Sequence, residues 1–393
     1  MPPILQNTIA VTDPVDLKCD ASGNLYVLSH STATVTEYDP TGSPVRSIAG
    51  VGSTPSGLDV DISGNVYVAL TGDNQVARFN PTKTSFQLDG SFGTAGVIGA
   101  DDKSSGSGSG EFNAPFDVAV SSDGTQIAVS DSGNNRIQSF STSDGTFISA
   151  FGQPGNGAGQ FNTPKGLTYD SAGYLYIVDS GNDRVVLAQS GEVINAAGTA
   201  GSALGQFQGP VNLGVDHRGI YVADTGNSRV QSFTPATTDD GGQSIPFKFL
   251  QATSTQLGLT QPSGVTLIDD SLTEKVYVAD TGNNRVILYT IPSQDADALQ
   301  AVWNNMVSHA SSGDLVGASS YFSVASSGNY LQAFLAIGSA NAISAISQIG
   351  TLTPVSIYND RAQYYFTSSI DGQTIGFPVE FDKENGIWKI LEF

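Results

Sequence analysis

The sequence predicts a six-bladed β-propeller followed by a small α+β domain, and three observations point there. The heptapeptide D-[ST]-G-N-x-R-[VI] occurs four times, opening at Asp131, Asp179, Asp224 and Asp280, at spacings of 45 to 56 residues. One copy means little, but four at such a period define a repeat architecture. Each copy also closes the same longer unit of proline, apolar run, polar turn, second apolar run and signature. Finally, apolar spacing changes from strand-like to helical after residue 292.

The units follow one another in order. Pro14 opens the first, with Gly23-Asn-Leu-Tyr-Val27 and an eroded signature from Ser29 to Val35. Pro55 opens the second, with Gly64-Asn-Val-Tyr-Val68 and a partial signature from Thr71 to Gln75. Pro115, Pro164, Pro210 and Pro262 open the four clear ones. Short runs of Val, Ile, Leu, Tyr and Phe between Gly, Asn, Asp and Ser are the mark of short strands joined by tight turns. A third strand follows each signature, as in Val286–Tyr289, and a fourth follows a polar turn, as in Phe147–Phe151. Four strands per unit and six units make six blades. The last unit lacks a fourth strand, because the chain leaves at Ile291-Pro292. Ile4–Ala10 is therefore expected as the outer strand of the last blade, which removes an open edge. Ser104 to Gly110 reads as a flexible loop between blades two and three.

The unit P-x-G-[LV]…D-x-x-G-N-[LV]-Y-V-x-D-[ST]-G-N-x-R-[IV]-x-x-[FY] resembles that of the NHL-repeat propellers. Four units meet it well and two partly, over residues 1–292. The resemblance implies the fold. It leaves function broad, since such propellers include RNA binders, protein binders, receptor sensor domains and a few lyases.

The second domain is expected at residues 293–393. Leu299, Val302, Trp303, Met306 and Val307 form one helical stripe, with Asp295 and Asp297 in the first turn, where carboxylates suit the helix dipole. Further helices are expected near Leu315–Tyr321 and Tyr330–Gln348. Four strands follow, at Leu352–Tyr358, Ala362–Ile370, Gln373–Phe381 and Ile387–Phe393. Helices followed by an antiparallel sheet is an α+β order. With Gly386-Ile-Trp-Lys-Ile390 as its closing pattern, this part is similar to the NTF2-like, cone-shaped superfamily. That resemblance implies a pocket or a dimerisation surface.

Charge narrows the partners. The chain holds 37 acidic and 16 basic residues, a net charge of −21. The last 101 residues carry 9 acidic and 3 basic, leaving 28 and 13 for the propeller. A surface that negative on both parts argues against nucleic acid. No apolar run reaches the ~18 residues of a membrane helix. The composition, poor in charge and rich in Ser, Thr, Gly and Asn, matches exported bacterial proteins, so an extracytoplasmic setting is expected, with a leader already removed. The single cysteine, Cys19, reads as a small inner-strand residue and not as a reactive thiol.

Two groups of residues qualify as sites in the propeller. The signature pairs Asp131/Arg136, Asp179/Arg184, Asp224/Arg229 and Asp280/Arg285 form either a carboxylate ring for a cation or a repeated turn lock. Their presence in blade after blade favours the lock. The third position of each unit reads Asp16, Gly57, Asp117, Gly166, Asn212 and Gly264. Asp16, Asp117 and Asn212, with Phe116 and Lys165 beside them, are the candidate ligand set at the channel mouth; the alternative is that they hold channel water.

The other chemistries find little support. Asp59 to Asn65 resembles a calcium loop, but other blades place a strand and turn there, so calcium is the one cation left open and no cofactor is expected. The three histidines, His30, His217 and His309, share no zinc spacing. The amidating-lyase branch of the propeller family, which needs such histidines, is disfavoured. Neither a Ser-His-Asp set nor a phosphate loop is present. In the tail the pocket candidates are Tyr321, Tyr330, Tyr358, Tyr364, Phe377 and Trp388; Asp314 and Asp371 read as turn residues, so no inward acid faces them. The expected function is non-enzymatic recognition of a protein, peptide or glycan by the loop face of the ring, with a possible homodimer through the tail. The rivals are a metal-assisted lyase or hydrolase at the channel mouth and a small apolar ligand in the tail.

Overall fold

The computed structural model describes all residues except 1–3, 83, 217–218, 235–236, 239–243, 246–247, 253–256, 271–272, 293, 323–352, 359–360, 371–372, 385–386 and 393. The chain divides into two compact units, Pro2–Ile268 with Lys275–Thr290, and Ile291–Phe393 with Asp269–Glu274.

The larger unit is a six-bladed β-propeller. The inner strands are Pro14–Cys19, Pro55–Val60, Pro115–Val120, Pro164–Tyr169, Leu213–Val215 and Pro262–Asp270. Each leads outward into an antiparallel sheet taken in chain order. The second strands are the most apolar runs because neighbouring blades cover both their faces. Leu25–Ser29, Val66–Leu70, Leu175–Asp179 and Ile220–Asp224 are buried throughout. Blade two departs from the pattern, with two short segments, Phe86–Leu88 and Val97–Gly99, both pairing with Gln75–Pro81. Ile4–Ala10 does pair antiparallel with Arg285–Pro292 and forms the outer strand of the last blade.

Two left-handed residues per junction join blade to blade. The residue before each opening proline, Asp13, Thr54, Ala114, Thr163, Gly209 or Gln261, has φ between 44° and 54°. The variable residue of the signature is left-handed as well, as at Asn74, Asn135, Asp183 and Asn284. Asn and Asp tolerate that conformation best among residues with a side chain. Each side chain then accepts the next blade's backbone N–H: Asn74 from Ala114 (2.8 Å), Asn135 from Thr163 (2.7 Å), Asp183 from Gly209 (2.7 Å) and Asn284 from Asp13 (2.9 Å). Signature hydroxyls add a second staple. Thr71 donates to the Pro115 carbonyl (2.7 Å), Thr225 to Pro262 (2.7 Å) and Thr281 to Pro14 (2.6 Å). The pairs Asn284–Asp13 and Thr281–Pro14 close the ring.

In the smaller unit, the helix Gln294–Ser311 buries Leu299, Trp303, Met306 and Ala310, the three- and four-residue spacing of one face. Val302 and Val307 lie half-buried at its margin. The short helix Leu315–Ser319 is capped by Asp314, whose carboxylate accepts the Gly317 N–H at 2.8 Å. Four strands, Thr353–Tyr358, Arg361–Ile370, Gln373–Glu384 and Ile387–Glu392, pair antiparallel in chain order. The expected third helix and Tyr330 lie outside the described residues. Among those described, no helix is long and apolar enough to cross a membrane.

Candidate functional site

The signature carboxylates are fully buried, and their contacts repeat in all four copies. In blade five, Asp224 Oδ1 accepts the Gln208 N–H at 2.8 Å, while Oδ2 accepts Arg229 Nε at 2.7 Å and Asn227 Nδ2 at 2.9 Å. Asp131, Asp179 and Asp280 do the same with Arg136, Arg184 and Arg285. The remaining guanidinium hydrogens bond carbonyls of the incoming loop, at Ser202, Ala203 and Gln206 for Arg229. Arg136 holds Ser107, Gly108 and Glu111 in the same way. The arginine thus ties down the loop that leads into its own blade, and the bond from blade to blade comes from the hydroxyl and the variable residue. Ser104 to Gly110 is accordingly no free linker. It belongs to a second repeated motif, Gly-x-x-x-Gly-[Glu/Gln]-Phe, at Gly106–Phe112, Gly155–Phe161 and Gly201–Phe207. Its phenylalanine is fully buried in each case, and its Glu or Gln accepts an N–H within the loop.

At the third position of the inner strands the series alternates polar residue and glycine, and the structure gives the reason. Asp16 Oδ2 accepts the Leu58 N–H of blade two at 2.7 Å, and Asp117 Oδ2 accepts the Leu167 N–H of blade four at 2.8 Å. Their Oδ1 atoms accept the N–H of the next residue in their own strand, each at 2.8 Å. Asn212 accepts the Leu213 N–H and donates Nδ2 to Asp16 Oδ1 at 2.6 Å. The glycines make room for these side chains. A Cβ at Gly57 would lie 2.2 Å from Asp117 Oδ1, and one at Gly166 would lie 2.6 Å from Asn212 Oδ1.

Beneath this ring the channel opens into a cavity of about 190 Å³. Asp16, Asp117 and Asn212 line it, together with Lys18, Cys19, Thr168 and Tyr169. Lys18 Nζ stands 3.3 Å from Asp59 Oδ1 and 3.4 Å from the Thr168 hydroxyl. Burial pushes the Asp16 carboxyl up to about 7, against the pull of the Leu58 and Leu17 N–H groups and of Lys18. Asp117 is held well above the usual carboxylate range, by burial first and then by the charge of Asp16. Burial acts to lower the Lys18 ammonium, but Asp59, Asp117 and Asp16 outweigh it and hold it raised. Burial also raises the Cys19 thiol, which keeps it protonated.

The other candidates scatter. Phe116 and Lys165 do not line the cavity; they pair with each other near the start of the inner strands, with Nζ 5.3 Å from the ring centre. Asp61 of the calcium-like segment instead closes its own turn, accepting the N–H groups of Ser63 and Asn65. His30 bonds the Pro55 carbonyl, and His309 pairs with Asp314 at 2.7 Å beside the Tyr321 ring. Among the described residues no three His, Cys, Asp or Glu are placed to hold a metal ion. In the tail sheet, Tyr358 pairs with Arg361, Tyr364 with Val379, Phe377 with Phe366 and Trp388 with Lys383.

The propeller fold has relatives among solved structures. No protein-family model matches the chain, and no curated protein matches it. The holo pyranose dehydrogenase PQQ domain from Coprinopsis cinerea is similar over 74% of this chain and 98% of that one, at 13% identity and a TM-score of 0.50. Hydrazine synthase from Kuenenia stuttgartiensis is similar over 72% of this chain and 96% of that one, at 15% identity and a TM-score of 0.49. The Cps50 (Swd1) propeller domain from Myceliophteria thermophila covers 74% of this chain and all of its own length, at 10% identity and a TM-score of 0.48. At these identities the likeness concerns the fold alone.

Proposed function

We propose that this chain is a non-enzymatic recognition or scaffold protein of the NHL-repeat type, whose rigid ring presents a face to a protein, peptide or glycan. One observation supports this above others. The carboxylates that a catalytic or metal site would draw on already accept backbone N–H groups or arginine hydrogens that hold the ring together. Repeated, buried and saturated groups stabilise a scaffold, and the recognition chemistry then falls to the exposed edges of that scaffold. An extracytoplasmic setting and an NTF2-like tail that dimerises or holds an apolar molecule belong to the same proposal.

The rival reading is metal-assisted lyase or hydrolase chemistry at the channel. It is favoured by the raised carboxyls of Asp16 and Asp117 in a cavity. A thermal melt of the full chain, first with chelator and then with excess calcium, magnesium or zinc, separates the two. A ligand bound to the native state raises the melting point by mass action. The scaffold reading expects an unmoved melt. A chelator-sensitive shift that Asp117→Ala abolishes would reject it in favour of the metal reading.

A further inference from the structure

Blade four breaks a rule that the other blades keep. The fifth residue of each third strand packs toward the preceding blade, as Phe79, Phe140 and Phe233 do. That residue is Tyr38, Phe79, Phe140, Phe233 and Tyr289 in five blades and Ala188 in blade four. One place earlier in the strand, blade three contributes Ser139. In the two junctions before it, the corresponding space is filled by arginines on aromatic rings. Arg46 stands 4.7 Å from the Phe86 centre, and Arg78 stands 4.6 Å from that of Phe92. Serine against alanine leaves instead a cleft of about 190 Å³ between blades three and four.

Its lining is chemically specific. Gln126, Ser139 and Ser149 come from blade three, and Gln189, Ser190 and Tyr169 from blade four. None of these side chains makes a hydrogen bond among the described residues; Ser139 is buried, Gln126 and Tyr169 are half-buried, and Ser149, Gln189 and Ser190 are exposed at the rim. Donors and acceptors that are free of protein partners and grouped around a gap can exchange their water for the polar groups of a ligand. Phe151 of blade three and Tyr169 of blade four both line the cleft, and no charged side chain does. Uncharged donors and acceptors next to aromatic faces suit a molecule with several hydroxyls and an apolar C–H face. We infer that this inter-blade cleft binds one neutral sugar ring of a glycan. The inference rests on the recognition reading above and narrows its partner. A charged ligand would find no counter-charge, and the chain's net charge of −21 repels anions.

The test uses the full chain and saturation-transfer NMR with methyl β-glucopyranoside, methyl β-galactopyranoside and N-acetylglucosamine. At least one sugar should receive saturation. Ala188→Phe, which restores the aromatic residue of the other blades, should weaken that sugar roughly tenfold or more by filling the cleft, and leave the melting point equal or higher. Ser139→Leu should act alike, because blades four and six already carry Leu187 and Leu288 at that place. Silence with all three sugars overturns the inference, as does unchanged affinity in both filled variants. Saturation of the cleft by N-acetyl-alanine methylamide instead of sugar also overturns it, in favour of a peptide. The chelator melt decides the recognition reading separately from all of these results.

Discussion

Single residues in this ring are best understood by counting the hydrogen bonds that end on them. Asp224 accepts from a backbone N–H, an asparagine and an arginine while wholly buried. Asp224→Ala would leave the mostly buried Arg229 without a counter-charge. That should cost about 3–5 kcal/mol, read by urea unfolding of the full chain. The channel acids act through pH. The Asp16 carboxyl lies at about 7 when folded against 3.8 for the free residue. The folded state therefore binds its proton more tightly, so this contribution is complete below pH 3.8 and is lost as pH rises to about 7. The melting point should fall across that window. Asn212→Asp would replace an N–H donor by a third acid. It should destabilise by about 2 kcal/mol above pH 7 and by much less near pH 4, where a shared proton bridges the two acids. An equal loss at both pH values would contradict this account of the ring.

Among elements, the strand Ile4–Ala10 matters most for its size. It covers the outer edge of Arg285–Pro292 from the far end of the chain and so closes the sixth blade. Deleting it leaves a row of unpaired N–H and C=O groups on an exposed strand. The expected result is a lower melting point together with concentration-dependent association in sedimentation. A truncated chain whose sedimentation and melt match those of the full chain would mean that the staples at Asn284 and Thr281 suffice to close the ring. This closure was legible in the sequence, because blade six visibly lacked a strand and the first segment lacked a partner. The split outer strand of blade two was not legible, since Phe86–Leu88 and Val97–Gly99 are too short to show a period. Nor was the order in Ser104 to Gly110. Its composition is that of a linker, and Arg136, Asn134 and Gln138 arriving from the signature turn and its strand, with Glu111 from within the motif, give it a shape.

At the scale of the whole molecule, six near-copies of one unit force a ring, and departures from the repeat are then the informative positions. The alternation of Asp16, Gly57, Asp117, Gly166, Asn212 and Gly264 looks irregular along the chain. In space it is regular, a side chain followed by a gap. The substitution of Ala188 for an aromatic residue is visible in the sequence once strands are aligned by register, and its consequence, an open cleft with idle polar groups, exists only in three dimensions. The sequence by itself determined the blade count, the strand order and the closing strand, because all of these follow from local pattern and its repetition. The tertiary structure alone decided which channel residues meet, where Phe116 and Lys165 lie and where a cavity remains. Those depend on contacts between blades, and residues about fifty positions apart become neighbours only when the ring has closed.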